Sequence, residues 1–193
     1  MNNYIIIYIF RFLNNRININ ISVTIGINDS FQGFQLSDGS IVNVRIMDTG
    51  GQERFEALNE KYYKDADCCL LVYAINSKPS FERIKNYYIK KLTENNKSII
   101  NVMLLGNKTD LEKERVISKE DGTNLAEKYG YMFKETSCVD NYNVSDAFST
   151  IIEMTNRQLC GTGRKSSCFV LKNKNNENED KNGKKKKKKK KIC

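Results

Sequence analysis

Beyond residue 66 the chain alternates short apolar runs with longer stretches of helical periodicity, and this alternation constrains its fold more than any other feature. Apolar runs occupy 68–74 and 99–105, and helix-like stretches occupy 80–93, 118–129 and 143–158. Runs that are apolar on both sides suit strands buried on both faces. Helices between them act as crossovers, so the pattern predicts an α/β fold with a mostly parallel sheet flanked by helices. Upstream, two extended runs at 31–36 and 41–47 flank Ser37-Asp38-Gly39-Ser40, a turn signal that suits an antiparallel hairpin.

In an open sheet of this kind ligands gather at the carboxyl edge of the strands. Three short polar motifs are expected there. Asp48-Thr49-Gly50-Gly51-Gln52-Glu53-Arg54-Phe55 follows the run Ile41-Val42-Asn43-Val44-Arg45-Ile46-Met47, so a carboxylate stands at a strand end. Two glycines follow, which let the backbone approach a ligand and offer it N–H donors, and Gln52 can orient a water. These are the parts that phosphate chemistry needs. Asn107-Lys108-Thr109-Asp110 follows Leu104-Leu105-Gly106, and Glu135-Thr136-Ser137-Cys138 follows Tyr131-Met132-Phe133.

With these motifs the chain resembles the Ras-superfamily GTPases. Thr24-Ile25-Gly26-Ile27, Glu53-Arg54-Phe55, Tyr62-Tyr63-Lys64-Asp65-Ala66, Leu71-Val72-Tyr73 and Gly106-Asn107-Lys108-Thr109-Asp110-Leu111 narrow the resemblance to the Rab branch. It spans about residues 11–158 and implies the small-GTPase form of the P-loop NTPase fold, GTP and GDP as ligands, and Mg2+ as cofactor. By the same resemblance Thr24 and Asp48 hold the magnesium, Gly51 donates its N–H to the terminal phosphate, and Gln52 positions the attacking water. Asp110 accepts two hydrogen bonds from the N1 and N2 donors of guanine, a pair that adenine lacks. Lys108 lays its stem along the base, Asn107 ties the loops together, and backbone N–H groups around Ser137 and Cys138 meet the guanine carbonyl oxygen. The family usually reads Ser-Ala-Lys where this chain reads Ser137-Cys138-Val139. Gly50 replaces a usual alanine, and Asp29 and Met47 replace aromatic residues that shape the family's effector surface.

One part is missing. No G-x-x-x-x-G-K-[ST] phosphate loop occurs anywhere in the sequence, and residues 1–9 contain no glycine. Phe10-Arg11-Phe12 resembles the end of the family's first helix, so the resemblance begins where that loop would have ended. Each charge-assisted hydrogen bond is worth roughly 1.5 to 3 kcal/mol, so loss of several weakens nucleotide binding by orders of magnitude. Two explanations stand. An upstream segment supplies the loop, so that the fold is incomplete at its N-terminus here, or the protein is a variant with weak or no nucleotide binding. The opening Met1-Asn2-Asn3-Tyr4-Ile5-Ile6-Ile7-Tyr8-Ile9 resembles translated non-coding sequence, which favours the first.

Charge divides the chain into two parts. Residues 161–193 carry 13 Lys and Arg against 3 Asp and Glu, whereas the first 160 carry 19 against 20. A single GTPase domain over 1–160 and a disordered polybasic tail over 161–193 are expected. The tail holds eight consecutive lysines, beginning at Lys184 and ending at Lys191, and such a run is attracted to an anionic membrane surface at roughly 1 kcal/mol per lysine. Nucleic acid is disfavoured as a partner because no aromatic residues interleave the lysines. Rab proteins generally end in two prenylated cysteines; here Cys193 alone closes the chain and is the expected lipidation site.

The six cysteines, Cys68, Cys69, Cys138, Cys160, Cys168 and Cys193, show no metal-ligand spacing, and there is no histidine to complete a zinc site. Reduced thiols within an apolar run point to the cytosol. Residues 4–10 are apolar but well short of the roughly 20 residues of a membrane span. The resemblance thus implies a GTP-hydrolysing switch of vesicle-mediated protein transport, with an exchange factor, a GTPase-activating protein and effectors as partners. It would work at the cytoplasmic face of an intracellular membrane and cycle with the cytosol. The other class to weigh is a nucleotide-free pseudo-GTPase binding module that keeps the Rab surface and no longer cycles.

Overall fold

A computed structural model describes residues 27–49, 66–95 and 101–162. Strand β1 (Ile27–Gln35) and strand β2 (Ile41–Thr49) form an antiparallel hairpin whose register sets Gln35 opposite Ile41 and Ile27 opposite Thr49. The turn closes through Leu36 N–H donating to the Ser40 carbonyl (2.8 Å) and Asp38 Oδ1 accepting from the Ser40 N–H (2.9 Å). Gly39 sits at φ 82°, a conformation that side chains disfavour. The first strand starts four residues before the expected run, because polar Asn28 and Asp29 still find ladder partners in Asp48 and Met47.

The remaining strands, β3 (Cys68–Ala74), β4 (Asn101–Asn107) and β5 (Met132–Thr136), form a parallel sheet in the order β3-β4-β5. Between β3 and β4 run helix α1 (Lys78–Arg83), a π-turn (Ile84–Tyr88) and helix α2 (Ile89–Asn95). Ser77 caps α1 and Pro79 occupies its first turn, where a missing N–H costs nothing. The sequence reads 80–93 as one helix, but the π-turn widens it so that Ile84 and Ile89, five residues apart, are both buried. Helix α3 (Lys119–Lys128) joins β4 to β5 and begins with a capping box between Ser118 and Asp121. Helix α4 (Val144–Gly161) follows β5.

Both faces of the parallel sheet are covered, as the alternation predicts. On one face Val72, Met103 and Leu105 pack with Val144, Ala147, Phe148, Ile151 and Ile152 of α4, joined by Leu36, Val42 and Ile46 of the hairpin. On the other, Leu71, Tyr73 and Leu104 pack with Phe81, Ile84, Ile89 and Leu92 and with Leu125 and Ala126 of α3. Cys68 and Cys69 divide between these two cores as successive strand residues must, and burial pushes the Cys69 thiol up to about 12. The loop of the hairpin is tied to α4, where Glu153 accepts from the Ser37 N–H (3.0 Å) and hydroxyl (3.2 Å). This is a mostly parallel α/β sheet flanked by helices, consistent with the small-GTPase fold. Among the described residues no helix is long and apolar enough to cross a membrane.

Candidate functional site

The carboxyl ends of β4 and β5 lie side by side, with Asn107 paired to Ala74 on one flank and to Thr136 on the other. Asn107 is therefore the last residue of the central strand and is 2% exposed. A buried amide needs partners. Its Oδ1 accepts from the Thr136 hydroxyl (3.3 Å) and from the Cys138 thiol (3.7 Å), while its backbone carbonyl accepts from the Ile75 N–H (2.9 Å). One side chain thus joins the ends of β4 and β5 and the loop beyond β5.

After Asn107 the chain must turn sharply away from the sheet. Lys108 makes the turn at φ 71° and ψ 40°, a left-handed conformation that costs a side-chain-bearing residue roughly 1 to 2 kcal/mol. Its carbonyl then accepts from the Leu111 N–H (2.9 Å), starting the 3-10 turn Thr109–Glu114 on which Asp110 rides. The Ser137 hydroxyl donates to Asp110 Oδ1 at 2.7 Å, and Ser137 Oγ in turn accepts from the Asp140 N–H at 3.0 Å. Ser137 is fully buried, and its backbone exchanges hydrogen bonds with Tyr142 in both directions (3.1 and 2.9 Å). The loop from Ser137 to Tyr142 is therefore closed on itself by its own hydrogen bonds.

Beneath this edge lies Tyr73, fully buried, with a hydroxyl that has no hydrogen-bond partner among the described residues. Burial, with a further contribution from the Glu135 charge, raises the pKa of this phenol well above its ordinary value. Space for the ring comes from two glycines. A Cβ at Gly106 would stand 3.0 Å from the Tyr73 oxygen, and one at Gly122 would stand 2.4 Å from it and 2.6 Å from the Phe133 ring.

The structure brings Asn107, Asp110, Ser137 and Cys138 to one place, with Lys108 between the first two. Glu135 and Thr136, which the sequence sets after a strand, belong to β5 itself, and only from Ser137 onward does the chain leave the sheet. Asp48 is the penultimate residue of β2, at the carboxyl end of the hairpin's second strand. Asp29 and Met47, the two positions where the chain departs from the family's aromatic residues, are register partners across the hairpin. Thr24, Gly51, Gln52, Cys193 and the lysines from Lys184 to Lys191 lie outside the described residues. Among the described residues no group of three His, Cys, Asp or Glu could hold a metal ion.

Two contributors to the site escape a reading of the sequence. Thr136 reads there only as the middle of a motif, yet its hydroxyl is a partner of Asn107. Asn143, at φ 55°, donates from its side-chain amide to the Glu135 carbonyl (3.0 Å) and so holds the start of α4 against the end of β5. An asparagine just before an apolar helix is a recognisable cap signal; its link to a strand residue is not.

The profile of the Ras family matches residues 7–157. The chain is 41% identical over 143 residues to the human Ras-related protein Rab-8B, an alignment covering 74% of this chain and 68% of that one. It is 40% identical over 143 residues to mouse Ras-related protein Rab-8A, with the same two coverages. It is also 38% identical over 142 residues to rice Ras-related protein RGP2, covering 74% of this chain and 64% of that protein.

Proposed function

The chain belongs to the Ras family and is a Rab-type small GTPase, and from that premise we propose that it is a guanine-nucleotide switch acting in vesicle-mediated protein transport. The observation that carries the guanine reading is the hydrogen bond from Ser137 to Asp110. It orients the carboxylate with Oδ1 engaged, and Oδ2 has no hydrogen bond among the described residues. A base with adjacent N1–H and N2–H donors satisfies such a carboxylate. Adenine lacks that donor pair and would leave it desolvated and unpaired, so the site selects guanine. Lys108 covers one side of the base, and the loop after Ser137 offers the backbone N–H groups that meet the guanine carbonyl oxygen. Asn107 holds the two loops in register.

At the phosphate end, the residues that would act are Thr24, Asp48, Gly51 and Gln52. Thr24 and Asp48 would hold magnesium, which when bound neutralises charge on the phosphates. The Gly51 N–H binds the terminal phosphate, and Gln52 orients the attacking water, with slow hydrolysis unless a partner supplies an arginine. The domain spans 1–160. The tail over 161–193 adds an anionic-membrane contact through its lysines and a prenyl group at Cys193, which together suffice for reversible anchoring. The protein then cycles between the cytosol and the cytoplasmic face of an intracellular membrane, engaging an exchange factor, a GTPase-activating protein and effectors.

A second reading stands beside the first because the given sequence holds no G-x-x-x-x-G-K-[ST] loop, although the family matches support the first. Under it the chain is a pseudo-GTPase module that presents a Rab surface without cycling. Titration of the 193-residue chain with a fluorescent guanine nucleotide in magnesium, with an adenine nucleotide as control, separates the two. Tight, guanine-selective binding supports the switch. No binding by the folded protein leaves either the module or a switch whose phosphate loop belongs to a longer product.

A further inference from the structure

Asp110 and Ser137 come from two segments 27 residues apart in sequence, and a base can be read only if those segments keep a fixed spacing. The hydrogen bond between them lies within the reading surface and orients the Asp110 carboxylate there. A second link lies behind it. The Arg115 guanidinium donates from Nη1 to Glu135 Oε1 (2.6 Å) and from Nη2 to Glu135 Oε2 (3.2 Å), a two-pronged contact with the strand that ends one residue before Ser137. Its Nε and Nη2 also donate to the two oxygens of Glu112 (2.8 and 2.7 Å), within the turn that carries Asp110. A fifth hydrogen bond runs from Nη1 to the Ile117 carbonyl (3.1 Å). The backbone N–H of Arg115 closes the same turn on the Glu112 carbonyl (3.2 Å).

These contacts use the guanidinium as a planar fork with two sides, which lysine cannot imitate. The two carboxylates differ in setting. The Arg115 and Glu135 side chains are 18% and 12% exposed, whereas Glu112 is 64% exposed. Solvent can take over for Glu112 if its partner is removed. It cannot do so for Glu135, whose carboxylate would be left largely desolvated at the root of the Ser137 loop.

We propose that Arg115 is a positioning residue for base recognition, a pin that fixes the Asp110 turn to the end of β5 and so sets the spacing of Asp110, Ser137 and Cys138. In its functional consequence this rests on the guanine-binding reading. Its mechanical claim does not, and the two are tested separately.

The mechanical test uses the thiols already present. Cys138 is 4% exposed and lies in the pinned loop, while Cys69 lies in the sheet away from it. Alkylation of the folded full chain, read cysteine by cysteine by peptide mass spectrometry, reports opening at each place. Arg115→Gln is expected to raise the Cys138 labelling rate about tenfold with Cys69 unchanged, since a tenfold change is about 1.4 kcal/mol of local opening. Glu112→Gln, which leaves the Glu135 prongs intact, is expected to leave Cys138 near the wild-type rate. Where Arg115→Gln does not fold, Arg115→Lys decides, with a smaller rise confined to Cys138. No rise at Cys138, or an equal rise at both thiols, overturns the proposal.

The functional test compares GDP with inosine diphosphate, which lacks the 2-amino group that one oxygen of Asp110 would meet. In a chain that binds guanine nucleotide, Arg115→Gln is expected to narrow the GDP preference by about tenfold. A preference that stays at the wild-type ratio while affinity falls for both would mean that Arg115 serves stability alone and would overturn the positioning role. Failure of the wild-type chain to bind either nucleotide counts against the guanine reading, and the thiol experiment still judges the pin.

Discussion

Ser137 and Asp110 are joined by a 2.7 Å hydrogen bond in which a fully buried hydroxyl donates to a carboxylate carried on a different loop. That hydroxyl also accepts from the Asp140 N–H, so both of its roles are taken within the protein. Ser137→Ala removes both at once. A lost hydrogen bond to a charged group is worth about 1.5 to 3 kcal/mol, and guanine-nucleotide affinity is expected to fall by about 10- to 100-fold. Titration with the fluorescent nucleotide checks this; affinity within a factor of two of the wild type would mean that Asp110 needs no support from Ser137.

Tyr73 and Gly122 make a second pair in which each explains the other. A methyl group at Gly122 would meet the Tyr73 oxygen at 2.4 Å and the Phe133 ring at 2.6 Å. Tyr73 is fully buried and its ring has no room to retreat, so Gly122→Ala is expected to destabilise the fold by about 1 to 3 kcal/mol despite the better helix propensity of alanine. Tyr73→Phe has the opposite sign. It deletes a buried hydroxyl that has no partner among the described residues and is expected to stabilise by about 1 kcal/mol. Urea unfolding of the two variants, and of the double variant, measures both effects, and a destabilised Tyr73→Phe would reveal a partner for that hydroxyl.

Ile151 is 1% exposed and lies where α4, the parallel sheet and the hairpin share one core. Ile151→Ala opens a cavity under all three, and a loss of about 2 to 5 kcal/mol is expected. Denaturant midpoints would register it, and a loss below about 1 kcal/mol would mean that the hairpin collapses onto the space.

The capping box of α3 gives the fold an acid-sensitive element. Hydrogen bonds from the Ser118 hydroxyl and N–H hold the Asp121 carboxyl below its usual 3.8. A carboxylate with a depressed folded-state pKa contributes stability that is fully present above 3.8 and is lost as pH falls through the lower, folded value. Melting temperature followed from about pH 5 downward should therefore decline less steeply in Asp121→Asn than in the wild type. Parallel curves would assign the acid loss to other carboxylates, among them Asp38, which Ser40 holds low in the same way.

Features set by near neighbours are legible in the sequence itself. The turn at Ser37-Asp38-Gly39-Ser40 specifies the hairpin, because Gly39 accepts the positive φ and Asp38 bonds within its own turn. The apolar runs place two strands between two cores, and the polar residues that end them place Asn107 and Asp110 at the sheet edge. Contacts between distant segments are not legible. Nothing in the spacing of Arg115 and Glu135, 20 residues apart, marks them as a pair. The π-turn is equally hidden, since a stretch with helical periodicity does not announce where an extra residue lets Ile84 and Ile89 share one core.

The amino-acid order by itself determined the kind of elements, their sequence along the chain and the chemistry available at their ends, because turn conformation, side-chain periodicity and donor or acceptor character are properties of a few adjacent residues. Tertiary structure alone decided which of those ends meet: that Ser137 reaches Asp110, that Cys138 and Thr136 share Asn107, and that Arg115 spans Glu112 and Glu135. Those bonds exist only after β4 and β5 pair in one register, and that register follows from burying both faces of the sheet at once.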